Sequence, residues 1–122
     1  MIEYTIDETH RLIRGRMSGF TTCDDLQQHY AQVFKDPKYD ITFNSIFQIE
    51  PDADGPILEE LSKVRLLMEL VAGSQKAQKK WAVVIPSGLK RAVVGFLLKN
   101  VQLKPIEMRF FGTKEEALAW LN

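Results

Sequence analysis

Ile2, Tyr4 and Ile6 alternate with Glu3, Thr5 and Asp7, and period-two alternation predicts a half-buried strand. After a turn at Asp7-Glu8-Thr9-His10, the extended pattern resumes from His10 to Gly19. Ile13 and Met17 take one face there; Arg14, Arg16 and Ser18 take the other. The two segments predict a β-hairpin, with Gly15 marking a bulge or a close backbone approach. Thr22 then opens a helix, capped by its hydroxyl and reciprocally by Asp25. Leu26, Tyr30, Val33 and Phe34 form one apolar stripe along it. Pro37 stops it near Lys35-Asp36, because the residue before a proline avoids helical geometry.

Ile41 to Glu50 predicts a long strand, with Ile41, Phe43, Ser45, Phe47 and Ile49 on one face. Residues 51–56 form a loop dense in helix and strand breakers. A second helix follows from Ile57 to Ala72, with Ile57, Leu61, Val64, Met68 and Val71 inward and Gly73 as its stop. Leu58, Leu66, Leu67 and Leu70 widen its apolar surface beyond that stripe. Trp81 to Ile85 is a short continuous apolar run ended by Pro86, the pattern of a central strand covered on both faces. A third helix is expected from Ser87 or Gly88 to Lys99, and a last strand from Ile106 to Phe111. Thr113, with Glu116 three residues on, caps a final helix that Ala117, Leu118, Trp120 and Leu121 pack down.

The order β-β-α-β-α-β-α-β-α predicts an α/β protein forming a single domain over residues 1–122. Its sheet should be mixed and mainly parallel, with about five strands and about four helices: a hairpin, then βα turns reached by right-handed crossovers. The length supports this, since 122 residues suffice to bury a core without disulfide or metal. No apolar run is long enough to span a bilayer. The start lacks the basic and apolar segments of a secretory signal, and Cys23 is the one cysteine. These features fit a cytoplasmic protein, with peripheral membrane contact left open.

Sixteen basic and sixteen acidic side chains cancel, which argues against nucleic acid as a partner. The charge is unevenly spread. Residues 1–73 hold seven Lys/Arg against thirteen Asp/Glu, and residues 74–122 hold nine against three. Such an asymmetry either steers a charged partner or reflects two differently solvated faces.

Catalytic chemistry finds no constellation. His10 and His29 have no metal-ligand spacing, and the glycine-rich phosphate-binding motifs are absent. Glu59 and Glu60 are adjacent on a helix and diverge by about 100°. Cys23 sits at a helix N-terminus, which would stabilise its thiolate, but no base partner is evident. The expectation is therefore no catalytic residue, no metal and no cofactor.

The segment from Ser87 to Lys99 is the most suggestive. Leu89, Val93, Phe96 and Leu97 make a stripe that can dock on the sheet, and Val94 and Leu98 widen it. Together with Leu61 and Leu67 of the second helix, the four stripe residues are expected to line a cleft for a small lipophilic or acyl ligand. Ser87, Gly88, Lys90, Arg91 and Lys99 supply amides and cations suited to an anionic group or a membrane surface. The same excess of apolar surface would serve a homodimer patch.

Several strings resemble the SpoIIAA-like family, relatives of STAS domains with a looser likeness to CRAL-TRIO lipid-binding domains. They are Gly15-Arg16-Met17-Ser18-Gly19 followed by Thr21-Thr22, then Trp81-Ala82-Val83-Val84, then Glu107-Met108-Arg109-Phe110-Phe111 with Glu116-Ala117-Leu118-Ala119-Trp120-Leu121. The resemblance implies a non-catalytic binding role. It also implies an alternative, a regulatory protein-protein module acting through loop 51–56 and the second helix, with Asp52 and Asp54 facing the partner. STAS regulators carry a phosphorylatable hydroxyl in the corresponding loop; here it reads Asp52-Ala53-Asp54-Gly55 with both hydroxyl positions gone, and Asp54 could imitate a phosphoserine's charge only in part.

Overall fold

The computed structural model describes residues 1–75, 77–85 and 106–122. Strands β1 (Ile2–Asp7) and β2 (Leu12–Met17) pair antiparallel, with Ile2 opposite Met17 and Asp7 opposite Leu12. The register is unbroken through Gly15, so there is no bulge. β2 starts two residues later than its alternation suggests, because the turn extends further: Arg11 has a φ of 54° and its amide bonds the Glu8 carbonyl at 3.3 Å. The Asp7 carboxylate fixes that turn by accepting from the His10 amide at 3.0 Å.

Helix α1 (Cys23–Lys35) begins in a complete capping box. Thr22 Oγ1 accepts from the Asp25 amide at 3.1 Å, and Asp25 Oδ2 accepts from the Thr22 amide at 2.9 Å. β3 (Asn44–Ile49) is shorter than expected because residues 40–43 turn instead. Asp40 Oδ1 takes hydrogen bonds from the Thr42 amide and hydroxyl, and the Phe43 amide bonds the Asp40 carbonyl, an Asx-type turn that competes with extension.

The second helix is broken in two. A single turn, α2 (Pro56–Glu59), is followed by α3 (Leu61–Ser74), and Glu60 between them leaves helical geometry at φ −112°, ψ 43°. Gly73 lies inside α3 rather than ending it; the chain becomes extended at Gln75. β4 (Lys79–Val84) and β5 (Ile106–Phe111) follow, then α4 (Lys114–Leu121). At α4 half of the expected capping box forms. Thr113 Oγ1 accepts from the Glu116 amide at 3.3 Å, while the Glu116 carboxylate accepts from the Thr113 hydroxyl.

The sheet runs β1-β2-β3-β4-β5, antiparallel at the first pair and parallel thereafter. This is the α/β fold with a mainly parallel five-stranded sheet that the pattern predicts. Of the helices expected, three of at least eight residues lie among the described residues. The helix expected from Ser87 to Lys99, with Ser87, Gly88, Leu89, Lys90, Arg91, Val93, Phe96, Leu97 and Lys99, lies outside the described residues, as does the Leu58 side chain.

A strand order that advances one step at a time with right-handed crossovers puts successive crossover helices on one face. α1 and α3 indeed share a face and a core that includes Met17, Leu26, Ile49, Val64, Met68 and Trp81. α4 covers the opposite face, where Ala117 packs against Leu12, Ile46, Ala82 and Val84. β3 and β4 are thus covered on both faces, which explains why Ile46, on the face opposite Phe47 and Ile49, is 2% exposed.

Candidate functional site

Between the sheet and the α1/α3 layer lies a cavity of about 100 Å³. Its floor is Ile13, Gly15 and Met17 of β2, Phe47 and Ile49 of β3, and Trp81 and Val83 of β4. Leu26, His29 and Tyr30 of α1 wall one side; Ile57 of α2 and Leu61, Val64 and Met68 of α3 wall the other. The stripes that make each helix amphipathic meet here. Among the described lining residues, polar side-chain atoms belong to His29, Tyr30, Ser45 and Trp81.

Gly15 explains part of this shape. A Cβ at that position would come within 2.6 Å of Phe47 Cδ2 and 3.7 Å of His29 Cε1. The absent side chain lets the Phe47 ring and the His29 imidazole settle over the strand, the close approach that a glycine in a strand signals. His29 is ringed by aromatics, with centroids of Tyr4 at 5.5 Å, Tyr30 at 5.3 Å and Phe47 at 5.7 Å. Tyr30 also stacks on Trp81 at 6.1 Å, with planes 19° apart. Burial pushes the His29 pKa down to about 4, so the imidazole is neutral near pH 7. Among the described residues, His29 Nδ1 is the buried side-chain nitrogen or oxygen without a hydrogen-bond partner. Burial likewise raises the Tyr30 phenol.

The expected ligand-binding residues separate. Leu61 is buried and lines the cavity, whereas Leu67 packs half-buried against the core and does not line it. Among the described residues the wall opposite α3 is α1; Leu89, Val93, Phe96 and Leu97 lie outside them. The same holds for Ser87, Gly88, Lys90, Arg91 and Lys99. Asp52 and Asp54 are exposed in the loop after β3. That loop is anchored by its main chain: Thr21 N to Asp54 O at 2.8 Å, Asp54 N to Gly19 O at 2.9 Å, and Ile57 N to Thr21 O at 3.2 Å. Gly55, at φ +109°, sits where a Cβ would meet the Thr21 backbone at 2.7 Å.

Two features differ from expectation. The Cys23 thiol is not activated by its helix terminus. Burial, with the Glu60 charge next, pushes its pKa up. The basic surplus of residues 74–122 is partly spent internally. Lys79 is buried, with Nζ 2.9 Å from Gln75 Oε1 and 3.3 Å from the Tyr39 hydroxyl, and burial lowers its pKa to about 8. Lys80 and Arg109 lie over the Trp120 ring at 5.1 and 5.2 Å. Among the described residues, no group of three metal-ligating side chains converges.

His29 has no metal-ligand spacing and no catalytic partner in the sequence, so neither of those signals points to it. Its position supplies the missed signal. It falls three residues after Leu26 and four before Val33, on the apolar stripe, where a polar residue must be either satisfied or functional. Comparison with protein-family models, with curated proteins and with solved structures finds no match to this chain.

Proposed function

We propose that this protein is a non-catalytic binding domain for a small lipophilic ligand, held between the sheet and helices α1 and α3. One observation carries the reading: a partly open apolar pocket of about 100 Å³ is lined by residues of the main core. An apolar void of roughly 150 Å³ is known to stay dry and admit benzene; this smaller, partly open pocket suits the end of a short acyl chain or the edge of a ring whose remainder lies outside it. Of the titratable groups in its described wall, His29 is kept neutral and has no hydrogen-bond partner at Nδ1, and burial keeps the Tyr30 phenol protonated, which supports binding over catalysis. Among the described residues no helix is long and apolar enough to cross a membrane; the residues expected to touch a membrane surface lie outside them.

Displacement of an environment-sensitive dye by toluene and by methyl esters of short-chain fatty acids, paired with native mass spectrometry, tests this. Displacement is expected from the parent protein and not from Val64→Phe, which fills the cavity. Failure of both ligands to displace the dye from, or bind to, a folded parent protein would overturn the reading.

A second reading draws on different features. The strand order, with its antiparallel first pair, fits the SpoIIAA-like resemblance, and Leu66 and Leu70 are 57% and 65% exposed on α3. Such a surface suits a regulatory protein partner or a second copy of the chain. Sedimentation of the parent protein against Leu66→Glu/Leu70→Glu tests self-association. Loss of partner capture in Asp52→Lys/Asp54→Lys tests the loop.

A further inference from the structure

Leu66 and Leu70 of α3 are each more than half exposed. They stand one helical turn apart on a single face, and Gly73 continues that face with nothing within 4 Å of a built Cβ. A charged residue precedes each leucine: Arg65 before Leu66, and Glu69 before Leu70. Successive helical positions turn by about 100°, so both charges border the leucine stripe on the same side. Their side chains pair along the helix at 3.2 Å and stay partly exposed.

We propose, on the basis of the second reading above, that the partner of this surface is a second copy of the chain, with α3 packed antiparallel on α3 across a two-fold axis. The pattern is self-complementary under that operation. Turned end for end, the second α3 sets its Leu70 against Leu66 and its Leu66 against Leu70. The same rotation keeps the charged border on one side and exchanges its ends. Arg65 of each copy therefore comes within reach of Glu69 of the other, and the contact occurs twice, as an isologous interface requires. A parallel pairing puts the two charged borders on opposite sides and forfeits both contacts. A single helix pair buries less than the ~1,200 Å² at which standard interfaces begin, so the dimer is weak and depends on concentration.

Sedimentation equilibrium of the full chain from micromolar to millimolar concentration tests the pairing. The parent protein should dimerise, and Leu66→Glu/Leu70→Glu should stay monomeric with unchanged circular dichroism. Arg65→Glu and Glu69→Arg should each weaken dimerisation about tenfold, since each sets like charges together at both symmetry-related contacts. Mixed in equal amounts, these two variants should associate about as tightly as the parent protein, because their heterodimer restores an opposite-charge pair at each contact. A role confined to the Arg65–Glu69 pair within one helix would not produce that recovery. A mixture that fails to recover, while the parent protein dimerises, would overturn the antiparallel register and leave self-association standing. Dimerisation that survives Leu66→Glu/Leu70→Glu would overturn α3 as the contact. A parent protein monomeric throughout would overturn self-association as well, and leave the exposed leucines to a different protein.

Discussion

Gly15 on β2 and Phe47 on β3 are register partners, and the aromatic ring occupies the space above the glycine so closely that a Cβ there would stand 2.6 Å from Phe47 Cδ2. Gly15→Ala must therefore push the ring aside, and overpacking of this kind costs ~1–3 kcal/mol. Gly73 makes the contrast. It lies within α3 with nothing within 4 Å of a built Cβ, so Gly73→Ala should stabilise by about 0.5–1 kcal/mol. Urea midpoints at unchanged slope check both signs.

His29 should make stability depend on pH in the acid range. Its folded pKa lies near 4, below its ordinary value of 6.5. Between those values the unfolded chain holds a proton that the folded chain does not, so stability rises with pH across this window and the penalty is complete below about 4. The amplitude is up to roughly 3 kcal/mol. Unfolding free energies measured from pH 4 to 7 should show this slope in the parent protein, and a flat profile in His29→Phe.

Lys79 should do the same at alkaline pH. Burial holds its pKa near 8, against 10.5 ordinarily, so folding releases a proton between those values and stability rises as pH increases from 8. Tyr4, Tyr30 and Tyr39, all with raised pKa values, oppose this once unfolded tyrosines ionise near 10. A gain confined to pH 8 to 10, and abolished in Lys79→Met, is the expected result of thermal melts across that range.

Trp81 and Trp120 should respond unequally. Trp81 is 7% exposed and stacks on Tyr30, so Trp81→Ala should cost ~3–5 kcal/mol. Trp120 is half-buried and shares its ring with Lys80 and Arg109. Its removal forfeits partial burial and two cation–π contacts of about 0.5–1 kcal/mol each, and should cost less than removal of Trp81. Denaturation curves of the two variants give the order.

The alternation of Ile2-Tyr4-Ile6 and the Leu26-Tyr30-Val33 stripe carried the element order because they report burial directly. The boundaries that moved all have local polar causes invisible to periodicity. Asp40 draws Thr42 and Phe43 into a turn, Arg11 takes positive φ, and Glu60 interrupts a helix whose leucines run on without a break. The cavity was half legible. Leu61 follows from its stripe, and Gly15 from its place in a strand. His29 became visible only when α1, β2 and β3 met, since an unpartnered nitrogen is a property of neighbours rather than of spacing.

The acidic loop after β3 behaves as part of the scaffold, although no regular element contains it. Thr21, Asp54 and Ile57 donate their main-chain protons across the junction between two loops. In deuterated solvent those three amides should exchange slowly and at a common rate, a small cooperative unit that opens as a whole. A protease seeking a nick between β3 and α2 would have to wait for that opening.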